Sequence, residues 1–414
     1  METTFLPASD STAEFISPAT VVSGRGSAGL IAQVLSSRLR LADGASVFVA
    51  VDDAVAGAGL LAPMLDALSA AYRVTVVGGF GAEPDDARID RAAARAREVR
   101  ADVVVGAGGG SVMDAAKMIA LLLENAGGAA DWLGPVAPPG GVAPLLMVPT
   151  TCGTGSEATR AAMVTVAGAK RISATAGYVA TAVVLDPALL DGLPGRIVAI
   201  TGMDALSHAA EALMSTDRSP MTVHHARTAI ALLVGNLEAA SRGDIEARAA
   251  CLWASHLSGQ ALNAGVLLGH SLAYCVAHER SVPHGVSSGL ALPYCIAFNA
   301  SGLEPDCART LARALTSGRG DDLVDAANAV QALLGRLELP TTLAELGIGE
   351  DADERIAQRC VTEYPRANNP TPMTVDALRR LVPSMRTGDL GAAFEATLTG
   401  TATVGSRMKA LPRD

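Results

Sequence analysis

The sequence predicts an α/β N-terminal domain with a parallel sheet, followed by an all-α domain. Three observations support this order. Short runs rich in valine and leucine alternate with helical stretches as far as residue 185. Several of these runs end in glycine-rich or hydroxyl-rich turns. Beyond residue 196, alanine and leucine recur with helical spacing and no convincing strand follows. Strands that alternate with helices pair in parallel, and the helices cover the faces of the sheet.

The predicted sheet domain is built from β-rich runs and the helical stretches between them. The strands are expected at Ala45–Val51, Arg73–Val77, Asp102–Val105, Pro144–Val148 and Ala182–Leu185. The helices are expected at Leu60–Ala71, Ile89–Val99 and Val112–Glu124. Before the last strand, Met163–Ala167 and Lys170–Thr175 have the pattern of a short hairpin.

The second half of the chain is predicted to be helical. Helical periodicity runs from about Arg196 to Leu315, and again over Leu323–Leu337 and Val375–Val382. The boundary is placed near Leu193-Pro194, which divides the chain into residues 1–194 and 195–414.

The composition excludes several classes of protein. With 50% hydrophobic and 18% charged residues, the 414-residue chain can bury a substantial core and is not disordered in bulk. A formal net charge of −10 disfavours nucleic acid and anionic lipid as partners. No apolar run approaches the ~20 residues that a membrane span requires. We therefore expect neither a nucleic-acid nor a membrane protein.

The cysteines and the first residues indicate a cytoplasmic protein. The six cysteines include no C-x-x-C pair, and in a chain of this length we expect reduced thiols rather than disulfides. Residues 1–17 carry acidic side chains and lack the basic and apolar regions of a signal peptide.

A glycine-rich turn follows the third predicted strand. Residues 106–111 read GAGGGS and include Gly109, Gly110 and Ser111, and the helix that follows carries Asp114 and Lys117. Glycines let backbone N–H groups approach a phosphate, and the start of a helix adds a partial positive charge. The loop predicts a phosphate or pyrophosphate site, with a tight turn that binds nothing as the alternative. Ser111 and Asp114 also have the spacing of a capping box.

Two further strand ends carry side chains that suit a nucleotide. The first strand ends in Asp52-Asp53, where a carboxylate can accept hydrogen bonds from ribose hydroxyls and repel a 2′-phosphate. Register favours Asp52, which predicts NAD(H) over NADP(H); a solvated turn or helix cap is the alternative. The fourth strand precedes the hydroxyl-rich loop 149–157, PTTCGTGSE. Its candidate cofactor contacts are Thr150, Thr151, Thr154 and Ser156.

Four side chains in the helical half have the character of metal ligands. Asp204 and His208 stand at i and i+4, so a helix presents both on one face. His270 and His284 add two imidazoles. One carboxylate and three imidazoles suit Fe²⁺ or Zn²⁺ better than Mg²⁺ or Ca²⁺. The other histidines, interpreted as surface or structural residues, include His224, His225 and His256.

Together these residues resemble the iron-containing (group III) alcohol dehydrogenase family, from about Val47 to Leu381. The loops at 108–117 and 149–157 look like the family's two cofactor loops, and Asp52 occupies its NAD-selecting position. The family's metal ligands correspond to Asp204, His208, His270 and His284. The resemblance implies a dinucleotide-binding α/β domain, an all-helical metal-binding domain, and a homodimer or larger homo-oligomer.

One position departs from the family pattern. Many members carry a histidine four residues after the third ligand, where this chain has Tyr274. A phenol with an unperturbed pKa near ~10 cannot simply replace an imidazole as a proton relay at neutral pH. The candidate catalytic residues are therefore Tyr274 itself and His278, which lies one turn further along and could replace the imidazole; a surface histidine is the alternative for His278. The surrounding residues are reminiscent of family members that reduce phosphonoacetaldehyde.

The resemblance implies a metal-dependent, NAD(P)-linked oxidoreductase that interconverts an alcohol and an aldehyde or ketone by direct hydride transfer. The expected substrate is a small molecule, such as a phosphonoacetaldehyde-like compound, or a group borne on a peptide. Two alternatives stay open. A dehydroquinate-synthase-like lyase would use NAD and a metal without net redox change, but usually carries Glu at position 204. A non-catalytic descendant that binds cofactor or a partner would have little need of the complete ligand set.

Overall fold

A computed structural model describes residues 14–396 of the chain. Two compact units are present. The sheet unit comprises residues 15–198 and 242–263. The helical unit comprises, within the described range, residue 14 and residues 199–241 and 264–396. The predicted domains also include residues 1–13 and 397–414, which lie outside the described residues.

The sheet unit contains nine strands and most of the shorter helices in the described range. Its strands are β1 (Thr20–Ser23), β2 (Ser46–Val51), β3 (Arg73–Val77), β4 (Val103–Gly108), β5 (Gly134–Pro135), β6 (Leu145–Pro149), β7 (Ala161–Val166), β8 (Ala169–Ala174) and β9 (Ala182–Leu185). Its first helices are α1 (Ile31–Arg38), α2 (Asp53–Gly57), α3 (Ala62–Ala71), α4 (Asp86–Glu98) and α5 (Gly110–Glu124).

The main sheet has six parallel strands in the order β1-β9-β6-β4-β2-β3. Strands β2, β4, β6 and β9 are buried along their whole length. Burial on both faces explains why their sequences are continuous apolar runs rather than alternating ones. The predicted parallel sheet is confirmed. Because β2, β4 and β6 are neighbours, the three polar loops that follow them leave the same edge of the sheet.

A second, three-stranded sheet has the order β5-β8-β7. Strands β7 and β8 pair antiparallel, as the hairpin pattern predicted. Ala167 and Gly168, the two residues between these strands, have φ angles of 50° and 76°. Positive φ at both positions is typical of the two-residue turns that match the twist of a hairpin.

The second half of the described chain is helical, as predicted. The helices are α6 (Gly195–Met214), α7 (Pro220–Ser241), α8 (Ile245–Ala261), α9 (Leu268–Glu279), α10 (His284–Asn299), α11 (Pro305–Leu315), α12 (Leu323–Arg336), α13 (Asp353–Thr362) and α14 (Val375–Thr387). No strand occurs between residues 196 and 396. Within the described range, no helix is long and apolar enough to cross a membrane.

Helix α8 belongs to the sheet unit, although its neighbours in sequence belong to the helical unit. Arg248 near its start is buried and donates hydrogen bonds to the carbonyls of Leu190, Asp191 and Leu193. Near its other end, Gly259 packs directly on the backbone of Gly155. A long helix is thereby fixed against the loop that follows β6.

The packing of Gly259 on Gly155 predicts a contrast between two helical glycines. A Cβ atom at Gly259 would overlap the carbonyl of Gly155, whereas one at Gly235 in α7 would meet nothing within 4 Å. We expect Gly259→Ala to lower the free energy of unfolding by about 2 kcal/mol or more, because backbone cannot yield to the new methyl group. Gly235→Ala should raise it by up to about 1 kcal/mol through helix propensity. Chemical denaturation of both variants measures the difference. Equal effects would show that α8 is not pressed against the loop.

Candidate metal and cofactor sites

The four predicted metal-ligand residues come together in the helical unit. Asp204 and His208 lie one turn apart on α6, His270 lies in the first turn of α9, and His284 begins α10. The Nε2 atoms of the three histidines lie 3.8, 3.9 and 3.6 Å from Oδ1 of Asp204, in that order along the chain. The rings of His208 and His270 are stacked with centroids 4.8 Å apart. Three imidazole nitrogens thus converge on one carboxylate oxygen.

The donor set fits a divalent transition metal. Ligand atoms of Asp204, His270 and His284 all lie within 4.8 Å of one another. The Nε2 atom of His270 is buried and has no hydrogen-bond partner among the described residues. A buried nitrogen without a partner is costly unless something else binds it. Three imidazoles with one carboxylate and no thiolate match the preferences of Fe²⁺ or Zn²⁺.

Glu211, which the sequence motifs did not identify, orients His270. Its Oε1 accepts a hydrogen bond of 2.7 Å from Nδ1 of His270, and its Oε2 accepts from the backbone N–H groups of Leu267 and His270. Both side chains are buried. A proton held on Nδ1 leaves the Nε2 lone pair for a metal, as is usual for ligating histidines. Glu211 follows Asp204 by seven residues, or two helical turns. This spacing could have placed Glu211 on the same helix face as Asp204 from the sequence alone.

The charges of the two buried carboxylates are stabilised by the surrounding imidazoles. Burial raises the pKa of Asp204, but the three histidines and the Ser288 hydroxyl, which donates to Oδ1, outweigh this and lower the pKa to about 2. Burial likewise raises the pKa of Glu211, and His270 together with the backbone N–H groups outweighs it, so the net shift is downward. Both groups are therefore anions at neutral pH, as metal binding requires.

Tyr274 and His278 occupy different places beside this cluster. The Tyr274 ring stacks on His284 with centroids 5.3 Å apart, and burial raises the pKa of its phenol. The exposed His278 places Nε2 2.7 Å from the hydroxyl of Tyr364. The Tyr364 ring in turn lies 5.1 Å from that of Tyr274. The two predicted candidates are thus linked through Tyr364, a residue in no motif.

The two predicted cofactor loops touch each other in the sheet unit. Gly109 caps helix α5, which begins at Gly110. A Cβ atom at Gly110 would lie 2.5 Å from Thr154, and one at Gly109 would lie 3.4 Å from Thr151. Glycine is required at position 110 because the second loop packs so closely. The hydroxyl oxygen of Thr150 is buried without a hydrogen-bond partner among the described residues, which suits a surface completed by a ligand.

The predicted capping box at Ser111 and Asp114 is wrong. The helix is capped by Gly109 with no side-chain hydrogen bond, so it begins before Ser111. Asp114 instead accepts hydrogen bonds from the Ser156 hydroxyl at 2.5 Å and from the backbone N–H of Met163 at 2.9 Å. Its carboxylate connects the helix to the second loop rather than to its own first turn.

Lys117 completes this connection. Its fully buried ammonium donates to the hydroxyls of Ser156 and Thr159 and to the carbonyl of Ala161, at 2.8, 2.9 and 2.7 Å, and lies 3.7 Å from Asp114. Burial lowers the pKa of Lys117 to about 8, although Asp114 and Glu157 oppose that shift. One buried cation therefore fixes the position of Ser156 in the second loop.

A second buried pair holds the same loop from the other side. Glu157 accepts a hydrogen bond of 3.0 Å from Nδ1 of His256 on α8, and both side chains are 1% exposed. His256, interpreted from the sequence as a surface or structural residue, is therefore structural. Apart from the position of Glu157 in the 149–157 loop, nothing in the sequence indicated that it would pair with His256.

Asp52 lies at the predicted strand end and also caps a short helix. Its Oδ1 accepts from the backbone N–H groups of Ala54 and Val55 at 2.9 and 3.1 Å. Asp53 accepts from the N–H of Gly79 instead. Asp52 is therefore the N-cap of α2, which was the alternative to a cofactor contact. Both capping bonds go to Oδ1, so capping does not use Oδ2, which can accept a hydrogen bond from a ribose hydroxyl.

Comparison with known proteins identifies the family. Residues 18–187 match the family model for iron-containing alcohol dehydrogenases, and residues 198–385 match that for the C-terminal part of the same family. Probable alcohol dehydrogenase EutG of Salmonella typhimurium is 33% identical over 367 residues, which cover 87% of this chain and 91% of the relative. Sulfoacetaldehyde reductase of Bilophila wadsworthia is 30% identical over 348 residues, 78% of this chain and 88% of the relative.

Solved structures show the same fold. Sulfoacetaldehyde reductase from Bifidobacterium kashiwanohense, in complex with NAD⁺, superposes with a TM-score of 0.83 at 26% identity, covering 92% of this chain and all of the other. A 1,3-propanediol oxidoreductase superposes with a TM-score of 0.83 at 25% identity, covering 91% and 100%. The chain belongs to the iron-containing alcohol dehydrogenase family and is an oxidoreductase of the alcohol dehydrogenase type.

The Glu211–His270 bond predicts how metal affinity responds to a buried substitution. In Glu211→Gln, an amide replaces one acceptor oxygen, so the backbone N–H groups or the imidazole Nδ1 must lose a partner. We expect the affinity for Zn²⁺ or Fe²⁺ to fall roughly 10- to 100-fold, as is typical when a carboxylate behind a ligand is lost. Competition with a chromogenic chelator measures the affinity. The matched control is Glu363→Gln, which removes an exposed partner of Arg359 in the same unit. Unchanged affinity in Glu211→Gln would contradict the orienting role.

The lowered pKa of Lys117 predicts a pH dependence of stability. Its pKa is about 8 in the folded protein and 10.5 ordinarily, so between these values the unfolded chain binds more protons. The contribution of this residue to the free energy of unfolding should rise from pH 8 to pH 10, by on the order of 2 kcal/mol. Lys117→Met should remove that rise, whereas Lys170→Met, at a partly exposed lysine, should keep it. Parallel pH curves for wild type and Lys117→Met in urea denaturation would contradict the shift.

Proposed function

We propose that this chain interconverts an alcohol and an aldehyde or ketone by direct hydride transfer, using NAD(H) and one divalent ion, Fe²⁺ or Zn²⁺. The observation that carries the proposal is the convergence of three imidazole Nε2 atoms on the Asp204 carboxylate within 4 Å. A bound metal would explain why the Asp204 carboxylate and the buried Nε2 of His270 face each other 3.9 Å apart without a hydrogen bond between them.

The helical unit would hold the metal and orient its ligands. The ligands are Asp204, His208, His270 and His284. When bound, such an ion supplies Lewis acidity toward the alcohol or carbonyl oxygen of the substrate. Glu211 keeps the His270 proton on Nδ1, and Ser288 fixes the Asp204 oxygen on which the histidines converge.

The sheet unit would hold the nicotinamide cofactor. When bound, NAD(H) supplies or accepts the hydride. Backbone N–H groups at Gly109, Gly110 and Ser111 would bind the phosphates at the start of α5. The hydroxyls of Thr150, Thr151, Thr154 and Ser156 would contact the rest of the cofactor. Asp114 acts through its bond to Ser156, which places it as a positioning residue.

Cofactor preference would be set at Asp52. Its Oδ1 is engaged by helix α2, and its Oδ2 would accept a hydrogen bond from a ribose hydroxyl. A 2′-phosphate at the same place would meet a carboxylate, so NAD(H) is proposed over NADP(H).

Protons would pass through the aromatic cluster beside His284. Because the pKa of Tyr274 is raised, its phenol stays protonated at neutral pH and serves as a hydrogen-bond donor rather than a base. Exchange with solvent would then depend on His278, which is exposed and bonds to Tyr364.

The substrate is proposed to be a small aldehyde or its alcohol, with a phosphonoacetaldehyde-like compound or a peptide-borne aldehyde as the specialised possibilities. Two of the similar proteins reduce sulfoacetaldehyde by name, which favours a small charged aldehyde over a peptide. A cytoplasmic homodimer or larger homo-oligomer completes the proposal. The family match across both units favours this chemistry over a lyase reaction and over a non-catalytic role.

The proposal predicts a metal-dependent change in nicotinamide absorbance. Protein reconstituted anaerobically with Fe²⁺ or Zn²⁺ would be tested with simple aldehydes, keto acids and phosphonoacetaldehyde, each with NADH and NADPH. Asp204→Ala and His270→Ala should lose bound metal and reduce turnover roughly 10³-fold or more, because polarisation by a metal is worth several kcal/mol. His224→Ala, at an exposed histidine of α7, is the matched control. Normal metal content and turnover in Asp204→Ala would overturn the ligand assignment.

A further inference from the structure

A half-buried arginine lies beside the metal-ligand cluster and is not part of any motif. Arg366 stands in the loop between α13 and α14. Its Nε donates a hydrogen bond of 3.1 Å to the hydroxyl of Ser271, the residue after His270. Its Cζ lies 5.9 Å from the centre of the Tyr274 ring, which stacks on His284. The guanidinium is therefore one aromatic ring away from a proposed metal ligand.

The loop that carries Arg366 is fixed to the helix that carries His270. The buried Asn369 accepts a hydrogen bond of 3.1 Å from the N–H of Leu268, the first residue of α9, and donates one of 2.8 Å to Asn299. The side chain of Asn368 donates to the carbonyls of Ala264 and Val266, just before that helix. These bonds anchor the loop of Arg366 at the start of α9.

Arg366 forms no ion pair within the described part of the chain. No carboxylate oxygen there lies within 4.0 Å of it, whereas many other arginines of the same unit, such as Arg355, Arg359 and Arg379, pair with acids. Among residues 14–396, Arg366 donates only through Nε, to Ser271, so the N–H donors of its two Nη groups are not used there. A half-buried cation that lacks a counter-ion favours an anion supplied from outside, and a guanidinium binds one with two parallel hydrogen bonds.

We propose that Arg366 binds an anionic group of the substrate, so that the preferred substrates are aldehydes that carry a carboxylate, sulfonate or phosphonate. The inference rests on the proposed function, because it takes the carbonyl oxygen to lie at the metal ligands. The anionic group would accept hydrogen bonds from the Nη groups of Arg366. Tyr274 would pack between this end of the substrate and the carbonyl end at the metal ligands. Arg366 is a specificity-determining residue in this scheme and takes no part in hydride transfer.

The inference is tested by comparing charged with neutral aldehydes. Wild type, Arg366→Gln and Arg366→Lys, all loaded with Zn²⁺, would be assayed with succinic semialdehyde, sulfoacetaldehyde, phosphonoacetaldehyde and neutral butyraldehyde. Loss of a charge-assisted fork should raise KM for the anionic aldehydes roughly 10- to 100-fold in Arg366→Gln. The loss for butyraldehyde should be far smaller, and Arg366→Lys should recover part of the difference because it keeps the charge but not the fork. Arg280→Gln, at an exposed arginine just after α9, controls for net charge.

A binding measurement separates this inference from the proposed function. Methylphosphonate titrated calorimetrically into the Zn²⁺-loaded protein should bind to wild type and Arg280→Gln, and at least tenfold more weakly to Arg366→Gln. Equal binding by all three, or equal losses for charged and neutral aldehydes, would overturn the role of Arg366 and leave the dehydrogenase chemistry intact. If no aldehyde is reduced while methylphosphonate binding still depends on Arg366, the proposed function fails and the anion site stands.

Discussion

The hydrogen bond between Glu211 and His270 is the constraint on which the helical unit depends. It lies in the protein interior and brings together two helices, since the same carboxylate also accepts from the first N–H groups around α9. Removing it would leave Oε1 of a buried carboxylate without its partner, which costs more than an exposed ion pair is worth. The placement of α9 in turn positions Tyr274 beside His284 and anchors the loop of Arg366 through Ser271 and Leu268.

In the sheet unit, buried charged groups likewise fix the two loops at 108–117 and 149–157. Lys117 and Asp114 hold Ser156 from inside, and Glu157 pairs with His256 on α8. Glycines alone would give close approach but would leave the loops mobile. Buried charges add rigidity because each has a single arrangement that satisfies its hydrogen bonds. Polar interior networks therefore fix the geometry of surfaces that otherwise consist of small residues.

The elements that follow from local pattern were predictable, and those set by tertiary contacts were not. Buried β2, β4 and β6 carry continuous apolar runs that identify them, whereas the short edge strand β1 has no such run. Asp204 and His208 could be paired from their helical spacing. The role of Asp114 was mistaken because a carboxylate near a helix start resembles a cap until the buried lysine is known. The position of Arg366 beside the metal ligands could not be predicted from the sequence, because its loop is placed by long-range hydrogen bonds of Asn368 and Asn369.

Helix α8 lies in the sheet unit although helices of the other unit precede and follow it in sequence. Gly155 therefore packs against Gly259, a residue that follows it by about a hundred positions in the sequence. On the ribosome, the sheet can form early, but its second loop stays uncovered until residue 263 has emerged. A gene fragment that ends after β9 would produce an incomplete nucleotide-binding unit, prone to aggregate through the face that α8 normally covers. The two units of this protein are thus inseparable by any single cut in the chain.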